Sequence, residues 1–469
     1  MDPRTADPVQ SIWRDLPEDT FREHLVRLEE RTNAVPMDVQ QFDVSTNIKS
    51  HRSGHLLSVN DEQGLANAFA FLVAVEEGAQ SVAAVCLEED VKLTTLTIRF
   101  AAVDAISEAV QGALRHVIDV LSVKSDRLVD SHLKLDELFR LVTKMHFRRI
   151  LARLRSSKWT KPKFLSRSHK KPLWQDFANL SHRVQFLYTK RELSIRQSLE
   201  EQLENLTRLY SSFEIVALDS DEEFAHLIRL VRTSYDFCTY EVVQEYARRL
   251  ENAGPTSQVR SALKTIRQIE KIAAYYRISN TLIRISRLYP QYFQAEKLVL
   301  NFLPPYASVP TSIGYEDWAK TCHVHAEIQL IVYYDMHFSD TFTSNSRSHD
   351  SHNANFLPPR VIGTSKYLCY LCYLFMKVHG RYPPANTHGR LYDQWTIPDC
   401  ADFGDDQRNF YRYIIQQIDN EVLARASEPP LWRPEPMTSR ENLLDTMGDE
   451  SSTVLWRRPP PDGGRNAIS

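Results

Sequence analysis

The spacing of apolar positions changes along the chain and divides it into regions. From 125 to about 290, apolar residues recur every three or four positions almost without a break, which predicts a succession of amphipathic helices. No fixed-period repeat of roughly 20–50 residues is present, so the pattern favours an antiparallel helical bundle or array over a solenoid.

The region before these helices has a mixed pattern. Residues 61–80 have helical spacing and an acidic start, 81–90 and 92–102 are short segments rich in β-branched residues, and 103–121 is again helical. Residues 1–60 are polar apart from one amphipathic stretch at 21–31, and we interpret them as a partly ordered arm.

Beyond about 293, short strand patterns alternate with helical ones. Strands are predicted at 297–304, 359–366 and 391–398, and helices at 325–337, 369–380 and 405–426, with a polar insertion at 338–359. This alternation predicts a layered α/β architecture. The predicted fold class is α+β overall, with a mainly helical N-terminal and central region followed by a layered C-terminal domain.

These patterns predict five regions: an arm at 1–60, a small α/β region at 61–124, a helical region at 125–292, a C-terminal α/β domain at 293–427 and a Pro-rich disordered tail at 428–469. The tail contains two similar pieces, LWRPEP at 431–436 and LWRRPP at 455–460. They are either short motifs that bind protein partners or a chance similarity in a disordered segment.

Composition excludes several classes of protein. The net charge of −3 indicates no partner by itself. Only two of the six cysteines are close in sequence, which is not a disulfide framework and favours an intracellular, reducing compartment, cytoplasm or nucleus. The N-terminus has no apolar signal core and no run of about 18 apolar residues exists, so we predict no membrane segment.

Two predicted helix starts carry the residues of a metal site. His325 and Glu327 open one helix, and Cys369 and Cys372 open another. Cysteines three apart lie on one side of a helix start, where the helix dipole stabilises thiolates. Two thiolates and one imidazole make three ligands, which leaves a fourth position of a zinc ion open for water. The nearby Cys322 and His323 are either substitute ligands or loop residues, and their offset from His325 favours the loop interpretation.

Glu327 gives this set its catalytic interpretation. It lies two residues after the histidine, where its carboxylate can face a water on Zn²⁺ without binding the ion. H-x-E followed by P-C-x-x-C is the signature of zinc deaminases, in which the Glu is the general acid and base. Here Leu368 stands where the proline is usual, which leaves the ligands intact but weakens any inference about the substrate.

The surrounding sequence extends the similarity. VHAEIQLI, VIGTSKYLCYLCYLF and THGRLYDQW together resemble the fungal-expanded branch of the cytidine-deaminase-like superfamily, which is related to deaminase domains of bacterial toxins. The resemblance covers about 295–425 and implies an α/β/α three-layer zinc domain. It also extends, more weakly, to 61–121.

The resemblance singles out a second group of residues. A Ser-Lys pair before the cysteines recurs in this branch, here Ser365 and Lys366, and so does a His before a Tyr-x-x-Trp block, here His388 and Trp395. Lys366 either contacts a phosphate or is an ordinary solvated lysine, and His388 either lines a base pocket or is structural. Trp395, with its neighbour Tyr392, either stacks on a flipped base or belongs to the core.

A basic run at 144–171 holds 11 Lys or Arg residues and no acidic one. Basic residues neutralise phosphates and aromatic rings stack on bases, so the run either binds nucleic acid or is a solvated connection between helices. The candidate nucleic-acid contacts are Arg148, Arg149, Arg153, Lys158, Trp159, Lys161 and Lys163.

Two functions from different classes follow. The first is a zinc-dependent hydrolytic deaminase that acts on cytosine or adenine in nucleic acid or a nucleotide. The second is a catalytically inactive, zinc-stabilised interaction protein that uses the helical region and the tail. The sequence does not identify the base, the polymer, the oligomeric state or the pathway.

Overall fold

The computed structural model describes residues 10–42, 54–77, 81–122, 130–162, 171–254, 256–294, 296–315, 319–338 and 356–433. These residues form two compact units. Unit 1 is drawn from 1–152, 161–167 and 275–443, and unit 2 from 153–160, 168–274 and 444–469. The fold class predicted from the sequence, α+β with many helices before a layered C-terminal region, is confirmed.

The predicted helices and strands occur in the predicted order with shorter strands, and short strands at 309–310, 321–324 and 356–357, which were not predicted, come in addition. The helices are α1 (Glu18–Thr32), α2 (Val59–Val73), α3 (Glu108–Leu121), α4 (Asp130–Met145), α5 (Phe147–Leu154), α6 (Phe177–Leu187), α7 (Leu193–Phe213), α8 (Asp221–Thr239), α9 (Glu241–Asn252), α10 (Ser257–Leu288), α11 (Ala326–His337), α12 (Tyr370–His379) and α13 (Asp405–Ser427). The strands are β1 (Ala83–Asp90), β2 (Thr95–Ala102), β3 (Leu298–Phe302), β4 (Val309–Pro310), β5 (Thr321–Val324), β6 (Phe356–Leu357), β7 (Gly363–Thr364) and β8 (Trp395–Thr396).

The main sheet of unit 1 is assembled from distant parts of the chain. β1 and β2 form an antiparallel hairpin, and β3 adds to β2 in parallel. β6 and β7 pair antiparallel with the other edge of β1. The sheet therefore contains strands from both the predicted small region at 61–124 and the predicted C-terminal domain at 293–427. These two predicted regions are not separate folded units in the structure.

Helices cover both faces of this sheet. On one face α2 packs against β1 and β7, and its Phe69 meets Phe100 of β2 edge to face, with ring centroids 6.1 Å apart. The next residue, Ala101, points to the opposite face because side chains alternate along a strand. There it joins the apolar core formed with α11 and α12. This arrangement is a three-layer α/β/α structure.

The N-terminal arm is more ordered than the polar sequence suggests. Its amphipathic stretch lies within α1, which packs along α13, where His24 Nδ1 lies 2.7 Å from a carboxylate oxygen of Asp419. Phe21 and Leu25 are fully buried in the same core as the two helix starts. The arm is thus part of the C-terminal domain's core, because a helix with one apolar stripe is stable only when that stripe is covered.

All secondary-structure elements in the described residues of unit 2 are helices. α6, α7, α8 and α9 pack on one another, and tyrosines tie them together. The Tyr246 hydroxyl donates to the carbonyl of Leu180 at 2.7 Å, and the hydroxyls of Tyr210 and Ser234 are 2.6 Å apart. Across both units, none of the helices described is long and apolar enough to cross a lipid bilayer.

Candidate active site

Both predicted helix starts are present, and each carries its ligands at the first turn. His325 is the N-cap residue of α11, directly after β5, and its carbonyl accepts the first helical hydrogen bond from Gln329 at 3.0 Å. Cys369 is the N-cap residue of α12, and its sulfur accepts a hydrogen bond from the Cys372 backbone at 3.4 Å. The predicted end of the helix at 380 also matches, because Gly380 is the C-cap residue of α12, with φ of 73°.

The two helix starts converge. His325 Nδ1 lies 3.5 Å from Cys369 Sγ and 3.3 Å from Cys372 Sγ, and all three ligand atoms lie within 4.8 Å of one another. A tetrahedral zinc ion with Zn–S near 2.3 Å and Zn–N near 2.0 Å separates sulfur and nitrogen ligands by roughly 3.5 Å. The three side chains therefore fit a metal ion of this size and ligand preference.

Glu327 faces this group. Its Oε2 lies 3.6 Å from Cys372 Sγ, and the side chain is buried in the first turn of α11. Burial raises the pKa of Glu327 above its ordinary value, although the nearby His325 opposes this effect. A carboxyl group with a raised pKa can both accept and donate a proton near neutral pH.

The ligand side chains shift one another's protonation. Burial would raise the pKa of Cys369, but hydrogen bonding from Cys372 and the charge of His325 hold it well below its ordinary value. Burial, together with the neighbouring Cys369, raises the pKa of Cys372 well above its ordinary value. Burial would lower the pKa of His325, but Cys369 raises it. A thiolate at Cys369 beside the imidazole ring of His325 is therefore favoured even before a cation binds.

The structure places His388 beside the ligands with a defined tautomer. The backbone N–H of Arg390 donates to its Nδ1 at 3.0 Å, so the neutral ring carries its proton on Nε2. Burial lowers the pKa of His388 to about 4, with the positive charges of Lys366 and Arg390 adding to the effect against an opposing contribution from Cys369. The His388 ring is therefore a neutral hydrogen-bond donor that lies in the same group of buried side chains as the metal ligands.

Ser365 has a structural partner. Its hydroxyl oxygen accepts the backbone N–H of Ala83 at 3.0 Å, and its own N–H donates to the Ala83 carbonyl at 3.0 Å. These bonds extend the pairing of β7 with β1 up to the loop that leads into Cys369. Ser365 is fully buried, whereas Lys366 is half-buried.

Trp395 lies in the core, as one of its two predicted interpretations stated. It is 1% exposed and packs between Phe21 of α1 and Phe375 of α12, at centroid distances of 6.4 and 6.3 Å. Its indole N–H lies close enough to lower the pKa of the Cys372 thiol. Tyr392 instead meets the ring of His388, at 5.8 Å.

The interpretation of Cys322 and His323 as loop residues is wrong, since both lie in β5. Pairing with β8 places His323 opposite Trp395, in the strand that delivers His325. The Cys322 thiol is fully buried and points to the Asp393 carbonyl at 3.9 Å. The sequence does not reveal β5 because a strand of four residues is too short to show a clear alternation of apolar and polar positions.

The basic run is divided between internal and surface residues. Arg149 is buried and its guanidinium donates to the Ala74 carbonyl, while Arg153 donates to the carbonyl of Lys271 at 2.8 Å. In unit 2, the Lys158 ammonium pairs with the Glu223 carboxylate at 3.0 Å, and both side chains are at most 4% exposed.

The other candidates of the run lie nearer to solvent. Arg148 and Lys161 are exposed and Trp159 is half-buried, whereas Lys163 lies outside the described residues. Binding of nucleic acid by this run stays a prediction, and Arg149 and Lys158 are the candidates least able to reach a phosphate.

Sequence reasoning missed the N-terminal residues that support this site. Arg22 is 1% exposed, its guanidinium pairs with Glu18, and it donates to the Asp393 carbonyl at 3.1 Å. Glu18 also accepts the hydroxyl of Thr396 at 2.8 Å, next to Trp395. The one available signal was the i, i+4 spacing of Glu18 and Arg22, which is also common on exposed helices.

Comparison with known proteins agrees with this geometry. The model of a family described as OTT_1508_deam-like deaminase matches residues 324–399. No curated protein and no solved structure matches the chain significantly. The matched segment contains His325, Glu327, Cys369 and Cys372, the four side chains that the fold brings together. Residues 324–399 therefore belong to the cytidine-deaminase-like superfamily.

Proposed function

We propose that the protein is a zinc-dependent hydrolytic deaminase that acts on a nucleobase, cytosine or adenine, in nucleic acid or a nucleotide. The observation that carries the proposal is the position of Glu327 Oε2, 3.6 Å from Cys372 Sγ and beside the His-Cys-Cys group. A metal site that only stabilises a fold has four protein ligands and needs no buried carboxylate beside them.

His325, Cys369 and Cys372 would hold the zinc ion. Two thiolates and a neutral imidazole balance its charge, and the three leave one position open. When bound, zinc supplies the Lewis acidity that makes water a nucleophile near neutral pH. The ligand thiols must remain reduced, and all six cysteines are free thiols, which supports an intracellular location.

Glu327 is the group that moves protons. Its carboxylate accepts a proton from the attacking water and passes it to the ring nitrogen of the base, while the water oxygen bonds to the carbon that carries the amino group. The carboxylate then takes the remaining proton of the added hydroxyl and gives it to the amino group, the carbon–nitrogen bond breaks, and ammonia leaves as the oxygen forms the new carbonyl. Burial of Glu327 suits both transfers because it raises the pKa toward neutrality.

His388 and Lys366 are the proposed substrate contacts. The Nε2–H of His388 is directed by the bond that Arg390 makes to Nδ1, so it can donate to a carbonyl or ring nitrogen of the base. Lys366, a cation near this ring, would attract a phosphate of the substrate.

Ammonia release tests the proposal. The full-length protein, reconstituted with zinc, is incubated with cytidine and adenosine, their nucleotides, and single-stranded DNA and RNA. Glu327→Gln should retain about one zinc per chain and lose roughly 10²–10⁴-fold in rate, the usual contribution of general acid–base catalysis. The control Glu421→Gln removes a half-exposed carboxylate paired with Arg425 and should keep the wild-type rate. Equal rates for Glu327→Gln and wild type would refute the role of Glu327.

An interaction protein is the second candidate. Unit 2 exposes large apolar side chains that a protein partner could cover, with Ile215 at 86%, Phe186 at 66% and Leu218 at 62%. The two Trp-Arg-Pro pieces of the tail would add contacts for protein partners. Bound zinc with no ammonia from any base would favour this candidate.

Binding to a nucleic-acid polymer has its own test. Arg148 and Lys161 are the exposed residues among the candidate contacts that the structure describes, and a polymer substrate held by them should dissociate as salt is added. An Arg148→Gln/Lys161→Gln variant should bind single-stranded DNA or RNA more weakly and with a shallower salt dependence. Affinity that is independent of salt would exclude a role for the run.

A further inference from the structure

Gln329 is a buried glutamine whose amide makes contacts that packing alone does not require. Its side chain is 2% exposed, and its Nε2 donates to the carbonyl oxygens of Ala102 and Val324, both at 2.9 Å. Since both partners are acceptors, the amide nitrogen rather than the oxygen must face them. The Oε1 atom has no hydrogen-bond partner among the described residues, which is unfavourable for a buried acceptor. An apolar residue of similar size would avoid this cost, so the two donated bonds account for the amide at this position.

Gln329 holds both peptide groups that flank His325. Its side chain binds the carbonyl of Val324, and its backbone N–H donates to the carbonyl of His325 at 3.0 Å. The φ and ψ angles of His325 are the rotations of these two peptide planes about its Cα atom. With both planes held, φ of −68° and ψ of 153° are fixed, and so is the direction of the Cα–Cβ bond that carries the imidazole.

The bond to Ala102 anchors this arrangement to the main sheet. Ala102 is the last residue of β2 and lies 227 positions before Gln329 in the sequence. β2 is paired with β1 on one side and with β3 on the other, so its end is held by two neighbouring strands. Gln329 therefore fixes the start of α11 relative to an inner strand of the sheet.

The start of α12 is fixed in a different way. Cys369 caps its own helix, since its sulfur accepts the backbone N–H of Cys372 at 3.4 Å. His325 is likewise the N-cap residue of α11, but its side chain makes no capping hydrogen bond to that helix. Its Nδ1 instead faces the two sulfurs, at 3.5 and 3.3 Å. Gln329 therefore fixes the entry of the chain into α11, which a capping side chain would otherwise do.

We propose that Gln329 is a positioning residue of the metal site, which holds the two peptide groups of His325 so that the imidazole meets the two cysteine sulfurs. The inference rests on the proposed zinc site. A ligand that is already held in place loses less conformational freedom when the ion binds. Replacing a residue that orients a metal ligand typically changes metal affinity by about 10–100-fold.

Cobalt(II) binding gives a readout independent of catalysis. The d–d absorption of the bound ion reports the number and geometry of its ligands. Gln329→Met keeps the length of the side chain and removes both N–H donors. It should weaken Co²⁺ and Zn²⁺ binding by roughly tenfold or more. It should also weaken the d–d bands, because water replaces a histidine that is no longer held and the site departs from tetrahedral geometry.

Gln63→Met is the matched control for the loss of a buried amide. Gln63 lies in α2, is 4% exposed, and donates from Nε2 to Asn67 Oδ1 at 3.0 Å and to the Ile362 carbonyl at 3.2 Å. Its replacement should lower the urea midpoint of unfolding, as Gln329→Met does, but leave Co²⁺ affinity and spectrum unchanged. If Gln329 had only a structural role, both variants would bind Co²⁺ like the wild type.

A shorter amide keeps the test decisive if Gln329→Met folds poorly. Gln329→Asn retains the amide but is one methylene shorter, so it cannot span the carbonyls of Ala102 and Val324. We expect weaker Co²⁺ binding and weaker d–d bands for this variant too. Wild-type affinity and spectrum in Gln329→Met or Gln329→Asn would overturn the inference alone. A wild-type protein that binds neither Co²⁺ nor Zn²⁺ would overturn the proposed function, and this inference with it.

Discussion

The buried pair of Arg22 and Glu18 offers a quantitative test of how the N-terminal arm supports the site. Its side chains are 2% and 10% exposed, and the guanidinium also donates to the Asp393 carbonyl. Arg22→Met keeps the length of the side chain but leaves the Glu18 carboxylate without its cation. Removing one partner of a buried pair costs about 3–5 kcal/mol, because the remaining charge is uncompensated.

Urea unfolding at neutral pH measures this loss. Arg22→Met should lower the free energy of unfolding by about 3–5 kcal/mol. Adding Glu18→Gln to Arg22→Met should restore part of it, because the uncompensated charge is removed. The control Arg14→Met breaks the pair with Asp15, whose partners are 49% and 55% exposed, and should cost less than about 1 kcal/mol. A similarly small loss for Arg22→Met would show that the arm does not hold the 393–396 segment.

Three further predictions follow from other parts of unit 1. Gly389→Ala should lower the unfolding free energy, measured by urea unfolding, by about 2 kcal/mol or more. The reason is that φ is +71° at this residue and a Cβ would lie 2.1 Å from the Met37 carbonyl oxygen. An unchanged urea midpoint of unfolding would refute the close approach. Burial would raise the pKa of Asp335, but hydrogen bonds from His379 and Tyr411 and the charge of Arg381 lower it. The stability that Asp335 contributes is therefore present above the ordinary carboxyl pKa and is lost as the pH falls through the lowered pKa of the folded protein. Asp335→Asn should therefore make the melting temperature fall less steeply as the pH is lowered. An unchanged dependence of melting temperature on acid pH would contradict this. Removing the metal with a chelator should lower the melting temperature of wild type, because an ion that binds only the folded state stabilises it; the same melting temperature with and without chelator would argue against a bound ion.

Local sequence signals predicted the parts of the site that depend on local structure. The starts of α11 and α12 were evident because helical spacing begins at His325 and at Cys369, in the second case shortly after a predicted strand. Gly380 marked the end of α12 for a similarly local reason, since glycine adopts a left-handed backbone without strain. Together with the spacing of Glu327 and Cys372, these signals were enough to predict the group that the fold assembles.

Contacts between distant segments were beyond the reach of the same signals. The pairing of β2 with β3 and the bond from Arg22 to Asp393 join residues about 200 and 371 positions apart, and neither leaves a periodic trace in the sequence. The sequence likewise does not indicate that the ammonium group of Lys158 pairs with the buried carboxylate of Glu223. Such pairings depend on which surfaces meet after folding, so the arm and the basic run were interpreted from composition alone.

The central claim is that a carboxylate beside a His-Cys-Cys metal site transfers protons during deamination. The most direct measurement is zinc content and ammonia release, made on the same preparations of wild type and Glu327→Gln, with the panel of cytosine and adenine substrates. We expect about one zinc per chain in both proteins and ammonia from wild type alone. Ammonia released equally by both, or wild-type protein that binds no zinc, would contradict it.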